Sequence, residues 1–263
     1  MREKILKIIF WLAVLYVIVP IMMPIIYSFS EAWTGLIPKG FTLDWYKIIF
    51  SNPNYQPSLI LSLFVASSAT LLNIVLTVPA AYAVNRLRGK LAIFLEDTFK
   101  ILPLIFPPLI VGLGLLQAFT SPPLAISGTT TAVIIAHALL GLPFMFRNVY
   151  ASLKTIDERT LSEAASSLGA NLWQRMRYVI IPNIIPGILS GSLLVFAISF
   201  GEFEVTSMVA GFGSQTLPLI LFQEMRNNFR IASAITAILV YVSLTAFMII
   251  VYIGSKVQKG YKV

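Results

Sequence analysis

The stretch IASAITAILVYVSLTAFMIIVYIG, residues 231–254, contains no charged side chain and exceeds the roughly 20 apolar residues that a helix needs to cross a bilayer. Lipid contains no hydrogen-bond partners for the backbone, so only helices and closed β-barrels satisfy every backbone group there. A barrel strand needs only about 9–11 residues. The length of this run therefore predicts a membrane-spanning helix.

The composition extends this prediction to the whole chain. Hydrophobic residues make up 57% of the 263 residues and charged residues 11%, and the mean hydropathy is +0.85. Such a chain has too little polar surface for a water-soluble domain of this size. The absence of cysteine excludes disulfides, thiolate metal sites and cysteine catalysis. We expect an all-α integral membrane protein with a single transmembrane domain, residues 1–263.

Six apolar runs predict a bundle of six membrane-spanning helices, at residues 5–29, 59–84, 99–119, 130–150, 184–208 and 231–254. The second run is rich in alanine, serine and threonine, which permit close helix packing, so we expect it to be central. The third run contains prolines and glycines that remove ordinary helical hydrogen bonds. A bent helix beside a cavity is expected there, and the pattern leaves simple kinking and gating both open. These residues are Pro103, Pro107, Pro108, Gly112 and Gly114.

The basic residues predict the orientation of the bundle. They gather at both termini and after the second and fourth runs: Arg2, Lys4, Lys7, Arg86, Arg88, Lys90, Lys154, Arg159, Arg175, Arg177, Lys256, Lys259 and Lys262. Loops rich in lysine and arginine face the cytoplasm, so both termini are expected there. Topology alone accounts for the net charge of +8. Because no basic cluster is interleaved with aromatic residues outside the membrane, no nucleic-acid partner is expected. Membrane lipid is expected to surround most of the chain.

A polar segment at residues 155–182 separates the fourth and fifth runs and predicts a cytoplasmic helix-turn-helix. Thr155 and Glu158 have the spacing of a capping box, so a helix should begin near Ile156. Three further residues predict a left-handed helix end, the cap of a second helix and the next helix break: Gly169, Asn171 and Pro182, respectively.

The first of these two helices carries one narrow apolar stripe of small and medium side chains: Leu161, Ala164, Ala165 and Leu168. A DNA-binding helix-turn-helix is disfavoured because both ends of the segment are tethered to membrane helices. A loop that packs only on its own bundle remains open. The alanine pair favours a contact surface, because small side chains form a shallow ridge that fits a partner's groove.

The pattern of this segment is Glu-Ala-Ala, three residues, Gly, nine residues, then Val-Ile-Ile-Pro. It resembles the signature loop of type I ABC importer permeases, in which isoleucine and leucine are usual at the positions of Val179 and Ile181. The matching residues are Glu163, Ala164, Ala165, Gly169, Val179, Ile181 and Pro182. Residues 62–86 also resemble the second helix of that family. Residues 40–46 resemble the outer segment of the second permease subunit in polyamine and phosphonate importers.

This resemblance implies a subunit of a larger assembly in a prokaryotic inner membrane. Its partners would be a second permease subunit, two cytoplasmic nucleotide-binding ATPases and an external solute-binding protein. The likeness to second subunits favours a heterodimer over a homodimer. The transported solute would be small and charged, as in the polyamine, phosphonate, oxyanion and ferric-iron permeases that the chain resembles. The expected ATPase-coupling residues are Glu163, Ala164, Ala165, Leu168, Gly169 and Pro182.

The sequence lacks an ATPase motif of its own. A phosphate-binding P-loop needs Gly, four residues and Gly-Lys-Ser/Thr, and the nearest fragment, Gly89-Lys90-Leu91, lacks the first glycine and the hydroxyl. We therefore expect no enzymatic activity, no catalytic residue and no cofactor in this chain, with ATP and Mg²⁺ bound by the partner ATPase. The alternative is a secondary transporter or channel not coupled to ATP, which should show inverted repeats or a relay of ionisable groups.

Ionisable residues within the apolar runs are candidates for function because their burial in lipid is costly. Glu202 and Glu204 lie two residues apart in the fifth run, so on one helix they would point to nearly opposite faces and form no catalytic pair. Roles at the membrane boundary and in the translocation path both remain open for them. The path candidates are Glu202, Glu204, Phe200 and Phe203. The single histidine, His137, cannot form a metal site alone, and a hydrogen-bonded packing role is favoured over proton relay.

Overall fold

The computed structural model describes residues 2–33 and 37–260, and Lys262 of the orientation argument lies outside them. Within these ranges the chain forms α-helices joined by short loops, with a π-helix at Met176–Ile180 and a 3₁₀ turn at Phe212–Ser214. The α-helices are α1 Arg2–Ser28, α2 Asp44–Ser51, α3 Tyr55–Arg86, α4 Lys90–Ile105, α5 Pro108–Thr120, α6 Thr130–Thr155, α7 Glu158–Ser167, α8 Leu172–Arg175, α9 Ile181–Gly201, α10 Glu204–Val209, α11 Leu217–Asn227 and α12 Phe229–Gly260.

Five helical stretches of the described chain are long and apolar enough to cross a membrane: Glu3–Ser28, Tyr55–Arg86, Thr130–Thr155, Leu172–Gly201 and Phe229–Lys256. A shorter apolar helix, Pro108–Thr120, corresponds to the second half of the third predicted span. The all-α membrane fold is confirmed.

The third predicted span is two helices, not one bent helix. Phe106 and Pro107 both have extended backbone angles, with ψ of 131° and 140°, and they separate α4 from α5. Proline disfavours the helical conformation of the residue before it and lacks an N–H group, so Pro107 and Pro108 together end one helix and start the next. The pair of prolines therefore interrupts the span completely.

The fifth span differs from its prediction at both ends. It is helical from Leu172, well before the predicted start at residue 184, and it ends at Gly201 instead of residue 208. The predicted break at Pro182 is wrong, because the chain stays helical from the π-helix at Met176–Ile180 into the first turn of α9, where this proline lies. The wide turn of the π-helix immediately before it carries the chain from α8 into α9.

Helices α3, α6 and α9 form the centre of the bundle, as the small residues of the second run predicted. Ala66, Ala69 and Ala81 of α3 are fully buried. Between α6 and α9 the backbones approach closely through glycine. A Cβ atom added at Gly187 would lie 2.7 Å from the backbone oxygen of Asn148, and one at Gly191 would lie 3.1 Å from the Cα of Met145. Glycine is thus required at both positions of α9.

This contact predicts that Gly187→Ala destabilises the protein. The added methyl group has no space against the α6 backbone, and overpacking of this kind costs about 1–3 kcal/mol. Thermal unfolding of the purified protein in detergent should show a lower midpoint. The matched control is Gly114→Ala in α5, where an added Cβ meets nothing within 4 Å. Equal midpoints for the two variants would contradict the close α6–α9 contact.

Candidate functional site

The turn between α6 and α7 is made by Asp157, not by the predicted capping box. Helix α6 continues through Thr155, whose hydroxyl donates to the carbonyl oxygen of Ala151 at 2.9 Å and caps nothing. Asp157 has a left-handed backbone, with φ of 45°, and α7 begins directly after it at Glu158. The predicted capping box is therefore wrong, whereas the predicted helix start near Ile156 lies within two residues of the observed start. The helical path from α6 is broken by one residue in a conformation that is uncommon for a non-glycine residue.

The other end of α7 follows the prediction. Gly169 has a φ of 83°, and its N–H donates to the carbonyl oxygen of Ser166 at 2.9 Å. The Asn171 side chain accepts from the backbone N–H of Gln174, and the Gln174 side chain accepts from the backbone N–H of Asn171, both at 2.9 Å. This is a capping box at the start of α8. The glycine end and the asparagine cap are both confirmed.

The structure divides the predicted apolar stripe of α7 between two faces. Ala165 is buried and Leu161 packs against the central core, whereas Ala164 and Glu163 are exposed. Leu168 is 90% exposed. The face turned towards the bundle consists of Glu158, Ser162 and Ala165, spaced four and three residues apart. The stripe is therefore not a single contact surface: only the exposed residues, together with Gly169, are available to a partner.

Sequence reasoning missed further exposed apolar side chains beside this turn. Leu172 is 55% and Trp173 68% exposed, and together with Leu168 they flank Gly169. We call Leu168, Leu172 and Trp173 the apolar patch. Exposed apolar groups rimmed by polar residues, here serines and Glu163, mark interaction sites. A tryptophan two residues after a helix-capping asparagine, in an otherwise polar segment, was the available signal.

The bundle-facing side of α7 contacts the C-terminal end of α3. Asn85 Nδ2 donates to Glu158 Oε2 at 3.3 Å, and Arg86 Nη1 donates to Ser162 Oγ at 3.4 Å. Arg86 Nη2 lies 3.9 Å from Glu158 Oε1. The Glu158 side chain is only 2% exposed. We call these four residues the α3–α7 contact. Glu158 is thus a buried carboxylate that faces Arg86 and is bonded to Asn85, and it is not a helix cap.

Glu202 lies between two helices and not inside one. Helix α9 ends at Gly201 and α10 starts at Glu204, so the argument that placed the two glutamates on opposite faces of one helix is wrong. The Glu202 carboxylate accepts from the backbone N–H groups of Val205 and Thr206 at 2.8 and 3.0 Å. It also accepts from the Thr206 hydroxyl at 2.9 Å. The carboxylate therefore caps the start of α10.

His137 completes a buried polar cluster with Glu202. Its Nδ1 lies 2.7 Å from Ser199 Oγ, and its Nε2 lies 2.8 Å from Thr206 Oγ1 and 3.4 Å from Glu202 Oε2. Both ring nitrogens thus have partners from α9 and the α10 region. This geometry agrees with the hydrogen-bonded packing role expected for His137, which ties α6 to the break in the fifth span.

The other path candidates occupy different environments. Phe200 is 1% exposed and stacks on Phe196 with ring centroids 5.6 Å apart. Phe203 and Glu204 are half-buried, and Phe203 stacks on Phe222 at 4.9 Å. Phe200 is thus enclosed by its own chain in this conformation. The path roles of all four candidates stay predictions.

A bundle of long apolar helices interrupted by this polar helix-turn-helix is the architecture of a solute-importer permease. The chain belongs to the family described as binding-protein-dependent transport system inner membrane component, whose model matches residues 73–258. It is a multi-pass inner-membrane protein and a permease subunit of an ABC importer. The expected permease is confirmed, and the alternative of a secondary transporter or channel is set aside.

Curated relatives carry the same description. The chain is 33% identical to PhnV of Salmonella typhimurium (strain LT2), a permease assigned provisionally to 2-aminoethylphosphonate transport, with 90% of this chain and 89% of PhnV covered. It is 30% identical to the molybdenum transport permease ModB of Mycobacterium tuberculosis, with 86% of this chain and 89% of ModB covered. It is 32% identical to the spermidine/putrescine transport permease PotC of Escherichia coli K12, with 80% of this chain and 78% of PotC covered. All are transport permeases, in agreement with a non-enzymatic transmembrane subunit.

Solved structures share the fold. A chain of a bacterial ABC transporter involved in the import of the acidic polysaccharide alginate superposes with a TM-score of 0.71 at 16% identity, covering 99% of each chain. A chain of the MetNI methionine ABC transporter in an inward-facing conformation superposes with a TM-score of 0.65 at 17% identity. The match covers 82% of this chain and 99% of that one. At these identities the likeness establishes the fold alone.

The cap on α10 predicts that Glu202→Ala destabilises the protein. The change leaves backbone donors of Val205 and Thr206 without an acceptor, which costs about 1–3 kcal/mol. Thermal unfolding in detergent should show this loss. In the control Glu204→Ala, the altered side chain accepts no hydrogen bond within the described residues, so the midpoint should move little. A Glu202→Ala midpoint equal to that of the control would contradict the capping role.

Proposed function

We propose that this chain forms half of the translocation pathway for a small, charged solute, delivered by an external binding protein and moved by alternating access. The energy comes from ATP hydrolysis in two separate cytoplasmic ATPase subunits. The observation that carries this proposal is the exposed turn around Gly169 between two capped helices, in a family of binding-protein-dependent permeases.

The polar segment at residues 155–182, here called the coupling segment, can receive a force by contact. Helix α7 is joined to α6 by the short turn at Asp157, and α8 is continuous with α9 through the π-helix. A displacement of α7 and α8 therefore acts directly on α6 and α9, whose backbones approach closely at Gly187 and Gly191. In this proposal, Glu163, Ala164 and the apolar patch fit the ATPase surface, while Gly169 supplies the turn that exposes them.

The proposal assigns ATP and Mg²⁺ to the partner subunits, because the sequence lacks a phosphate-binding loop. It also places both termini and the coupling segment in the cytoplasm, which is supported by the distribution of lysine and arginine. The likeness of residues 40–46 to second permease subunits supports a heterodimer with another permease over a homodimer.

The names of the relatives support a small charged solute. PhnV, ModB and PotC are described as permeases for 2-aminoethylphosphonate, molybdenum and spermidine/putrescine, respectively. These solutes share small size and charge but differ in the sign of the charge. Of the candidate residues, Glu204 and Phe203 keep some exposure and are proposed to line the path. Glu202 and Phe200 support them from within the bundle.

Gly169→Val should uncouple ATP hydrolysis from uptake. Valine is strongly disfavoured at the φ of 83° found here, so the turn that presents the coupling surface would change shape. Uptake of 2-aminoethylphosphonate, molybdate and spermidine would be compared with ATP hydrolysis in proteoliposomes of the purified complex. We expect uptake to be lost while hydrolysis continues.

The matched control is Gly89→Val in the α3–α4 loop. Gly89 has a φ of 77°, and, as at Gly169, an added Cβ would meet nothing within 4 Å. The control therefore introduces backbone strain at a second cytoplasmic turn without altering the coupling surface. Unchanged uptake by Gly169→Val, or equal losses in both variants, would contradict the coupling role of the turn.

Purification of the tagged chain from its native membrane in mild detergent tests the proposed assembly. Mass spectrometry should identify a nucleotide-binding ATPase that is lost when Leu168 and Trp173 are both replaced by serine. A second permease in the same sample would establish the heterodimer. Recovery of the chain alone, active in vesicles without ATP, would overturn the proposal.

A further inference from the structure

Helix α3 is a single helix that extends from the outer side of the bundle to the coupling helix. It runs from Tyr55 to Arg86 without interruption, a length of about 48 Å at 1.5 Å per residue. Near its middle, Asn73 Nδ2 donates to the carbonyl oxygen of Ala138 in α6 at 2.9 Å. Buried residues recur along α3 from Tyr55 to Val84, on both sides of Pro79, so the helix is packed against the bundle along its length.

The outer end of α3 is bonded to α11. Ser62 Oγ accepts from the backbone N–H of Leu217 at 2.7 Å, and Tyr55 donates its hydroxyl to Glu224 Oε1 at 3.1 Å. Leu217 begins α11 and Glu224 lies near its end, so both bonds fix α11 to α3. In the topology derived from the basic residues, this is the external side, which would face a binding protein.

The inner end of α3 reaches α7 without a direct chain connection. Along the chain α3 leads into α4, and α7 is joined to α6 and α8. The α3–α7 contact bridges 73 residues of sequence through Asn85 and Glu158 and 76 through Arg86 and Ser162. A force on α7 thus enters α6 and α9 through the backbone, but it enters α3 through these side chains.

The contact is incomplete in this conformation. Glu158 Oε1 is buried and accepts no hydrogen bond from the described residues. The nearest guanidinium nitrogen of Arg86 is 3.9 Å away, too far for a hydrogen bond. Arg86 instead makes long bonds, at 3.4 Å, to Ser162 and to the hydroxyl of Tyr82. A buried carboxylate oxygen without a hydrogen-bond donor is unfavourable. A small movement of α7 towards α3 would therefore be stabilised by a bidentate Arg86–Glu158 ion pair.

We propose that Arg86 and Glu158 are positioning residues that link the ATPase-facing helix to the outer face through α3. This inference rests on the proposed function. In one state of the cycle the pair is open, as in this structure. In the other state the pair closes, and α3 then moves with α7 and carries α11 with it. The contact thereby couples events at the motor to the external surface.

The absence of cysteine allows spin labels to be placed at chosen pairs of engineered cysteines. One pair, Leu87 and Ser167, reports on α3 against α7. The other, Gln56 and Ser121, reports on the outer end of α3 against α5. All four side chains are exposed. Distances would be measured by double electron-electron resonance in the complex with its co-purifying ATPase, without nucleotide and with MgATP and orthovanadate.

We expect MgATP and orthovanadate to shift both distances in the native protein. Glu158→Gln removes the charge that attracts Arg86 while it keeps the shape of the side chain. It should abolish the shift of the outer pair, while ATP hydrolysis continues. The matched control is Arg88→Gln, an exposed arginine beside the same contact, which should keep both shifts.

Arg86→Lys provides an independent variant if Glu158→Gln fails to assemble. Lysine keeps the charge but lacks the planar fork needed for a two-pronged pair, so the outer shift should again be lost. An outer shift that survives in either assembled variant would overturn the α3 inference and leave the proposed function intact. No shift in either pair of the native complex, although the ATPase is bound, would instead contradict the proposed coupling itself, and with it this inference.

Discussion

The close approach of α6 and α9 is the contact on which the rest of the molecule depends. Gly187 and Gly191 bring the α9 backbone against α6, and lipid provides no hydrophobic force that could replace this packing. The coupling segment is inserted between these two helices, so its two anchor points are fixed relative to each other. His137 and the Glu202 cap extend the same unit to the break at the end of the fifth span.

Among the described residues, two carboxylates with side chains less than a tenth exposed, Glu202 and Glu158, lie at or just before the start of a helix. Glu202 accepts the free N–H groups at the start of α10, and Glu158 is the first residue of α7, paired with Asn85 and Arg86. In both places the carboxylate lies near the positive end of a helix, which offsets part of its desolvation. The two sites differ in their hydrogen bonds, because both carboxylate oxygens of Glu202 accept at least one whereas one oxygen of Glu158 has no donor within the described chain.

The features that depend on local chemistry could be predicted from the sequence. Apolar runs longer than a strand require helices, Gly169 suits a left-handed end, and Asn171 suits a cap. The features that depend on tertiary contacts could not. Asp157 has a left-handed backbone next to Glu158, which contacts α3, and no local sequence pattern indicates this turn. Pro182 was ambiguous, since proline can either break a helix or stand in its first turn. Glu202 caps α10 because α9 ends at Gly201, and the sequence did not indicate that helix end.

Departures from α-helical geometry flank the pair of short helices α7 and α8 on both sides. Asp157 with its positive φ precedes α7, and the π-helix at Met176–Ile180 follows α8. Such departures lie where a chain changes shape at low cost, and π-helices occur often at functional sites. Because the α6–α9 pair is locked by glycine packing, a push on the segment is absorbed either by bending at these two points or by movement of the whole pair. The α3–α7 contact favours the second response, because its hydrogen bonds tie α7 to α3 between these two points.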